Sequence, residues 1–214
     1  MKKLFFLFIL GASIASFAQT SELKSDVEIV VIGNQIWMQK NLDVTTFRNG
    51  DVIPEAKTND EWVKAIQNRE PAWCYYENDP KNGEKYGIIY NFYAVNDSRG
   101  LAPKDWHIPT TAEWNELSTF LGGNELAGAK LKSIGGWHYD GNGTNESKFD
   151  AKPAGYRNCY GMFGDLTARC SWWIIGVDKE SVVRGRELNH DSDRLSEYGS
   201  YMKDDGLSVR CIKD

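Results

Sequence analysis

Residues 106–117, WHIPTTAEWNEL, constrain the fold more than any other stretch of the chain. Pro109 lacks an amide hydrogen and holds the residue before it in extended geometry, so a strand that reaches it must end there. Thr110 and Glu113 have the spacing of a capping box, in which each side chain accepts a hydrogen bond from the backbone amide of the other residue. Trp114 then begins an apolar face with helical spacing. The stretch therefore predicts a strand that stops at a proline and a helix that starts immediately after it.

Short helices and strands are predicted around this motif. The predicted helices are 58–70, the segment from Thr110 to the glycine pair Gly122-Gly123, and 125–134. The predicted strands are 28–42 with a turn at Gly33-Asn34, 71–95 with a charged turn at 78–83, 171–177 and 181–188. A last strand is predicted within DDGLSVRCIKD, residues 204–214. Twenty glycines and many other turn formers predict long loops between these elements. The pattern favours one α+β domain without internal repeats.

The first residues have the pattern of a secretory signal peptide. Lys2 and Lys3 precede an apolar run, and small residues at 16 and 18 suit cleavage after Ala18. The run is shorter than the roughly 20 residues of a membrane-spanning helix, so no membrane span is expected. A buried amino-terminal strand or helix is the alternative. We expect a signal peptide over 1–18, a flexible segment over 19–27 and the domain over 28–214.

Composition and motifs exclude several functional classes. A net charge of −5 and an isoelectric point near 5.3 argue against a nucleic-acid partner, which requires a basic surface. The sequence contains no G-x-S-x-G, no H-E-x-x-H and no C-x-x-C motif. We therefore expect no catalytic constellation and no cofactor.

Aromatic and acidic residues supply the candidate ligand contacts. In an exported protein that is 13% aromatic, exposed rings predict stacking on sugars or other polymers. The candidates are Trp137, Tyr139, Trp172, Trp173 and Arg184, and burial in the core is the alternative for both Trp172 and Trp173. Two acidic stretches, 140–146 and 190–197, are weak calcium candidates through Asp140, Asn142, Asp191 and Asp193. A solvated turn is the alternative for each stretch.

Several sequence blocks together resemble one known family. The blocks are IGNQIWMQKNL, YGIIYNFYAV, GLAPKDWHIPTTAEWNEL, AGAKLKS, GTNESKFDAKPAGYRN, SWW and GLSVRC. They follow the order of the Fibrobacter succinogenes major paralogous domain, a family of secreted bacterial proteins, over nearly all of residues 28–212. This family is similar in turn to the C-type-lectin-like fold that formylglycine-generating enzymes also use. The resemblance implies small, twisted, mostly antiparallel sheets, two or three short helices and long loops, with Trp106, Pro109 and Trp114 as fold determinants.

Departures from the family pattern bear on function. Ile174-Ile175-Gly176 stands where relatives commonly have Ser-Ser-Thr, in the loop region that holds ligands in C-type lectins. The lectin calcium signatures and the copper-binding cysteine pair of formylglycine-generating enzymes have no counterpart here. We expect a non-catalytic binding or surface module whose partner is an extracellular glycan, another polymer or a protein. A divergent enzyme of the formylglycine-generating type and a purely structural surface protein are the alternatives.

Four cysteines follow the predicted signal peptide, and an even number in an oxidising compartment favours disulfides. The sequence alone leaves all three connectivities open. Many relatives pair the cysteine of the terminal strand with a cysteine in the block GLAPKDWHIPTTAEWNEL, where this chain has Ala102. The resemblance therefore leaves Cys211 without that partner, and we expect Cys74–Cys211 and Cys159–Cys170. Free thiols at Cys159 and Cys170 are the alternative.

Overall fold

The computed structural model describes residues 27–175, 183–201 and 203–214, and for residues 183, 184 and 198–201 it describes the backbone alone. The predicted signal peptide lies outside these residues. The helices are α1 (Asn59–Asn68), α2 (Pro80–Tyr86), α3 (Phe92–Val95), α4 (Thr111–Phe120) and α5 (Asn124–Leu131), with 3-10 turns at Tyr76–Asn78 and His138–Asp140. Among the described helices, none has the length and apolar character needed to cross a membrane.

In the part of the chain that the structure describes, twelve strands form two sheets, which confirms the predicted α+β class. The strands are β1 (Ile29–Ile32), β2 (Gln35–Met38), β3 (Trp73–Cys74), β4 (Ile89–Asn91), β5 (Trp106–His107), β6 (Ala154–Arg157), β7 (Phe163–Leu166), β8 (Arg169–Trp173), β9 (Val183–Asn189), β10 (Ser196–Tyr201), β11 (Gly206–Leu207) and β12 (Ile212–Lys213). The smaller sheet has the order β1-β2-β12-β5, and the larger has β10-β9-β8-β6-β11-β4-β3 with β7 on β6. All described pairings except β6–β8 are antiparallel.

The last strand closes the smaller sheet. Ile212 pairs with Trp37 of β2 on one side and with His107 of β5 on the other. The β1–β2 hairpin turns at Gly33, whose φ of 62° suits glycine, so the predicted turn is confirmed. Segments from the start, the middle and the end of the domain thus share one sheet.

The main core lies between the two sheets and helices α4 and α5. Its centre is an aromatic cluster in which the rings of Trp37 and Trp114 are 4.8 Å apart and those of Trp114 and Trp172 are 5.5 Å apart. Phe149 packs edge-on against Trp37, with ring centroids 5.7 Å apart. All four side chains are fully buried. Such rings contribute both apolar burial and favourable edge-to-face geometry.

The WHIPTTAEW stretch forms the predicted strand and helix. Thr110 accepts from the amide of Glu113, whose carboxylate accepts from the amide of Thr110 at 2.7 Å, so the capping box of α4 is complete. Trp106 and Trp114 are buried in different parts of the core. The carbonyl of Pro109 accepts from the amide of Ile175 at 3.0 Å. The proline therefore ends β5. Its carbonyl still accepts a hydrogen bond from the segment that follows β8.

A fully buried arginine of the terminal GLSVRC block holds several segments together. The Arg210 Nη1 donates to the carbonyls of Gln39 at 2.7 Å, Phe149 at 2.8 Å and Met38 at 3.2 Å. Its Nε donates to Oδ1 of Asn41 at 3.0 Å. Burial lowers the pKa of Arg210 to about 10. The guanidinium therefore supplies donors to carbonyls that would otherwise be buried without partners.

The arginine of the GYRN block has a similar role around α1. Arg157 is fully buried, and its guanidinium donates to the carbonyls of Ala56, Thr58 and Gly161, each at 2.9 Å. Its guanidinium also lies 4.8 Å from the ring centroid of Trp62, a buried residue of α1. The predicted helix over 58–70 is confirmed as α1, with the capping box at Thr58.

Parts of the predicted secondary structure are wrong. The charged turn expected at 78–83 is mostly helix α2, because Asp79 caps the helix and Pro80 occupies its first turn. The strand expected through residue 95 ends at Asn91, whose side chain accepts from the amide of Ala94 and starts α3. The strand expected over 171–177 ends at Trp173. Consequently the domain has five described helices where two or three were expected.

The four cysteines are free thiols, so the expected pairs Cys74–Cys211 and Cys159–Cys170 are not formed. Cys74 packs beside α1, Cys170 belongs to the main core, and Cys211 lies in the cluster that contains Trp106. Burial raises the pKa of the Cys74 thiol to about 11 and those of Cys170 and Cys211 to about 12. These three residues therefore act as small apolar side chains in separate parts of the core.

His107 links β5 to α4 and to the residue after β12. Its Nε2 lies 2.7 Å from Oε1 of Glu113, and its Nδ1 lies 2.7 Å from Oδ1 of Asp214. Partial burial disfavours the imidazolium, but the two carboxylates outweigh this effect and raise the pKa of His107. Partial burial likewise opposes ionisation of Glu113, but hydrogen bonds from Thr110 and His107 lower its pKa. The arrangement favours a charged histidine between two carboxylates.

We expect His107 to stabilise the domain more at mildly acidic than at alkaline pH. Because its folded-state pKa is raised above the roughly 6.5 of an unfolded histidine, its contribution is complete below that value and disappears as pH rises through the folded-state pKa. The contribution of Glu113 is complete above roughly 4.3 and disappears as pH falls through its lowered pKa. Urea denaturation should therefore show a larger loss for His107→Gln at about pH 6 than at about pH 9.

The exposed His138 provides a matched control for this measurement. His138→Gln replaces an exposed histidine on a different loop and controls for the loss of an imidazole side chain as such. A His107→Gln variant whose loss of stability is the same across this pH range would contradict the assignment.

Candidate functional site

Tyr139 is the most exposed of the large apolar or aromatic side chains described, with 82% of its surface accessible. The ring centroid of Tyr139 lies 3.8 Å from that of His138 and 5.8 Å from that of His190. The two imidazoles are 5.7 Å apart and nearly perpendicular. We call these three residues the aromatic platform. It is formed by two loops, one after α5 and one between β9 and β10.

The first loop holds Tyr139 in a fixed conformation. Trp137 is buried and its indole Nε1 donates to the carbonyl of Ala151 at 3.2 Å, which anchors the loop in the core. The amide of His138 donates to the carbonyl of Thr167 at 2.8 Å. Tyr139 and Asp140 then adopt left-handed backbone conformations, with φ of 46° and 58°. Non-glycine residues pay for this conformation, so two in succession indicate that the surrounding contacts enforce it.

Close backbone packing joins the first loop to the second. A Cβ atom at Gly141 would lie 2.0 Å from the carbonyl oxygen of His190, so only glycine fits at this position. The amide of His190 donates to the carbonyl of Ala168 at 2.8 Å, which fixes the other side. The distance between the two loops is therefore set by backbone contacts beneath the rings.

A buried lysine supports the second loop from below. Lys132 is almost completely buried, and its Nζ donates to the carbonyls of Ser192 at 3.0 Å and Asn189 at 3.4 Å. The carboxylate of Asp193 lies 3.7 Å away. Burial lowers the pKa of Lys132, although the neighbouring carboxylates of Asp193 and Asp191 partly offset the effect. Lys132 is thus a positioning residue for the loop that carries His190.

The platform has the chemistry of a stacking site with polar edges. The exposed phenol ring offers an apolar face, and its hydroxyl can donate or accept a hydrogen bond. The imidazoles of His138 and His190 offer further donors and acceptors beside it. Asp140 directly follows Tyr139 in the chain, Asp191 directly follows His190, and both carboxylates are exposed. Carboxylates accept hydrogen bonds from hydroxyl groups, which are the principal polar groups of neutral sugars.

Three of the predicted aromatic contacts are core residues, which corrects the interpretation from sequence. Trp137 is buried, and Trp172 and Trp173 are fully buried. Trp172 Nε1 donates to Oδ1 of Asn41 at 2.8 Å, and Trp173 Nε1 donates to the carbonyl of Tyr90 at 2.8 Å. These indoles have polar partners inside the protein and present no face to a ligand. Arg184 lies in β9, but its side chain is outside the described part of the structure.

The calcium candidates do not form a metal site. The Asn142 side chain accepts from the amide of Trp137 at 3.1 Å, so its oxygen is already used within the loop. Asp193 faces the ammonium group of Lys132. Within residues 27–175, 183–201 and 203–214, no three His, Cys, Asp or Glu side chains are grouped suitably for a metal ion. Asp140 and Asp191 belong to neighbouring loops without completing such a group.

The sequence contains only part of the information needed to find the platform. Tyr139 was identified from its aromatic character, and stretches 140–146 and 190–197 were identified from their acidic residues. His138 and His190 were missed because nothing local distinguishes them from other surface histidines. The contact between Gly141 and His190 is tertiary, and a single sequence carries no signal for it.

A family model described as the Fibrobacter succinogenes major domain matches residues 30–213. The chain has no match among curated proteins or among solved structures.

Proposed function

The chain belongs to the Fibrobacter succinogenes major domain family, and we propose that it is an exported, non-catalytic module that binds an extracellular polysaccharide. Export rests on the signal-peptide pattern of residues 1–18. The proposal includes the C-type-lectin-like architecture that the resemblance implies. The position of β12, which follows the GLSVRC block and lies between β2 and β5, supports this architecture.

The observation that carries the proposal is the exposed and fixed ring of Tyr139. A large aromatic side chain that remains 82% accessible in a folded domain leaves much of its apolar surface in water. The left-handed backbone and the packing of Gly141 against His190 fix the position of the loop that carries this ring before any ligand arrives. Preorganisation of this kind lowers the entropy cost of binding.

A polysaccharide suits the platform better than a wholly apolar ligand. The C–H groups on one face of a sugar ring can pack on the phenol ring, while its hydroxyls need donors and acceptors at the edges. His138 and His190 lie beside the ring, and Asp140 and Asp191 directly follow Tyr139 and His190 in the chain. The site is open and shallow, which suits an extended chain that passes over the surface.

We expect Tyr139→Ala to weaken polysaccharide binding by about tenfold or more, because the stacking surface is removed. Tyr139→Phe keeps the ring and should retain most of the affinity. Affinity electrophoresis of the mature protein in gels that contain soluble neutral or acidic polysaccharides would identify a bound polymer. Isothermal titration calorimetry would then measure the affinities of the variants.

Tyr160→Ala is the matched control, because Tyr160 is 71% exposed and lies in the loop before β7. Its affinity should equal that of the wild type. Absence of binding to every polysaccharide by the wild-type protein would overturn the proposal. Equal affinity of Tyr139→Ala and wild type for a bound polymer would overturn the assignment of the platform.

A further inference from the structure

Arg186 of β9 is fully buried, yet much of its hydrogen-bonding capacity is unused. Its Nη2 donates to Oδ1 of Asn115 on α4, but Nε and Nη1 have no hydrogen-bond partner in the structure described. Glu197 of β10 forms an ion pair with the guanidinium, with its carboxylate 3.7 Å from Nη2 and beyond hydrogen-bond distance. Buried arginines normally have their donors paired, as Arg157 and Arg210 do here.

Two further unpartnered groups border the same region between α4 and the larger sheet. Trp114 Nε1 and Thr111 Oγ1 are buried without hydrogen-bond partners. The register of the β8–β9 pair places Trp172 directly opposite Arg186, and the rings of Trp172 and Trp114 are 5.5 Å apart. Arg186 and Trp114 therefore both neighbour Trp172, and Thr111 lies on the helix that carries Trp114 and Asn115. The unpartnered donor atoms of these side chains have no hydrogen-bond acceptor.

Asn115 covers this group from the solvent side. Asn115 is exposed, whereas Arg186 beneath it is completely buried. Thr111 and Asn115 are four residues apart on α4 and so lie on the same face of the helix. The Asn115 side chain is thus a direct contact between the buried guanidinium and an exposed residue of α4.

We propose that Arg186 is the anchor of a carboxylate-binding site that opens when the Asn115 side chain is displaced. An incoming carboxylate would replace the neutral amide oxygen on Nη2 and pair with the free Nη1 as well, in the two-point geometry that arginine favours. Thr111 Oγ1 and Trp114 Nε1 supply the additional donors. Burial lowers the pKa of Arg186 below its ordinary value, and a bound anion would offset that desolvation.

The ligand class that we assign is a uronic acid, a sugar that carries one carboxylate. This choice of source rests on the proposed polysaccharide function, whereas the site itself rests only on the unpartnered donors. Arg186 precedes His190 by four residues in β9 and the turn after it, roughly 13 Å along an extended strand. The two regions are therefore separate and can be tested separately.

Two substitutions of Asn115 give opposite expected results. Asn115→Asp places a carboxylate of the protein beside Arg186, so it should raise the melting temperature and abolish glucuronate binding. Asn115→Ala removes the competing amide and should strengthen glucuronate binding by about five- to tenfold. Binding is measured by calorimetry with sodium glucuronate, with glucose as the neutral control and sodium chloride to match the ionic strength.

Removal of the anchor completes the test. Arg186→Lys and Thr111→Val should each weaken glucuronate binding, the first by more than tenfold. If Arg186→Lys does not fold, the Asn115 pair and Thr111→Val still decide the matter. The proposal is overturned if wild-type protein binds glucuronate no better than glucose, or if Asn115→Asp binds glucuronate as the wild type does.

The outcome is independent of that for the aromatic platform. Tyr139→Ala should leave the affinity for monomeric glucuronate unchanged, whatever its effect on polysaccharides. Glucuronate binding in a protein that binds no polysaccharide would support the Arg186 site while overturning the proposed function. A crystal structure grown with glucuronate that shows only water at Nη1 would overturn the site alone.

Discussion

Replacing Trp114 by alanine is expected to lower the free energy of unfolding by about 3–5 kcal/mol. Trp114 is fully buried at the centre of the main core, where its ring contacts Trp37, Phe149 and Trp172 at centroid distances of 4.8, 5.9 and 5.5 Å. Truncation removes apolar burial and leaves a cavity, because strands on both sides limit how far the neighbours can close. Urea denaturation followed by far-ultraviolet circular dichroism would measure the loss.

Two controls separate this effect from a change in the helix itself. Phe120→Ala alters the last residue of the same helix, whose side chain is 64% exposed, and should change stability by less than about 0.5 kcal/mol. Trp114→Phe retains an aromatic ring and removes an indole N–H that has no partner, so it should cost less than alanine. A wild-type denaturation midpoint for Trp114→Ala would show that the packing assignment is wrong.

Replacing Arg210 by methionine is expected to destabilise the domain by about 3–5 kcal/mol, a loss comparable with that of Trp114→Ala. Methionine fills part of the space but cannot donate, so the carbonyls of Met38, Gln39 and Phe149 lose the donor that Nη1 supplies. Acceptors left unpaired in the interior cost about 1–3 kcal/mol each. Oδ1 of Asn41 still accepts from the indole of Trp172, which limits the total.

A lysine at position 210 tests whether charge or geometry matters. Lysine keeps the positive charge but has a single donor atom, which cannot reproduce the contacts that Nε and Nη1 make on different sides. We expect Arg210→Lys to lose stability in the same direction as Arg210→Met. Arg194→Met is the exposed control, because its ion pair with Glu125 lies at the surface and should contribute at most about 1 kcal/mol. Equal stabilities of the two methionine variants would contradict the role assigned to Arg210.

Predictions from sequence succeeded where the stabilising interaction is local. The predicted capping box at Thr110 joins residues three apart, and the predicted Gly33-Asn34 turn joins adjacent residues. Helix α2 was missed even though its signals are local, because Asp79-Pro80 suits a turn as well as a helix start. Local pattern therefore identifies most elements, and its errors occur where one residue pair favours two structures.

The candidate sites were harder to predict because they depend on which surfaces the fold covers. Trp172 and Tyr139 are both aromatic residues that the composition marks as possible stacking contacts, but one is fully buried and the other is largely exposed. Arg186, Arg157 and Arg210 are all buried, and only the tertiary structure shows that the first lacks partners for two of its donor atoms. A single sequence does not show which of its charged residues are buried.

The position of β12 affects when this domain can fold. Ile212 must pair with Trp37 and His107 before the smaller sheet is complete, and these partners lie 175 and 105 positions earlier in the chain. Contacts of such long range form slowly, because a large loop must close before they stabilise anything. In a chain that crosses a membrane amino end first, the β1–β2 hairpin emerges long before its sheet partner. Under the proposed export, the chain would therefore stay incompletely folded during translocation and would close into a domain only after its last strand had passed through.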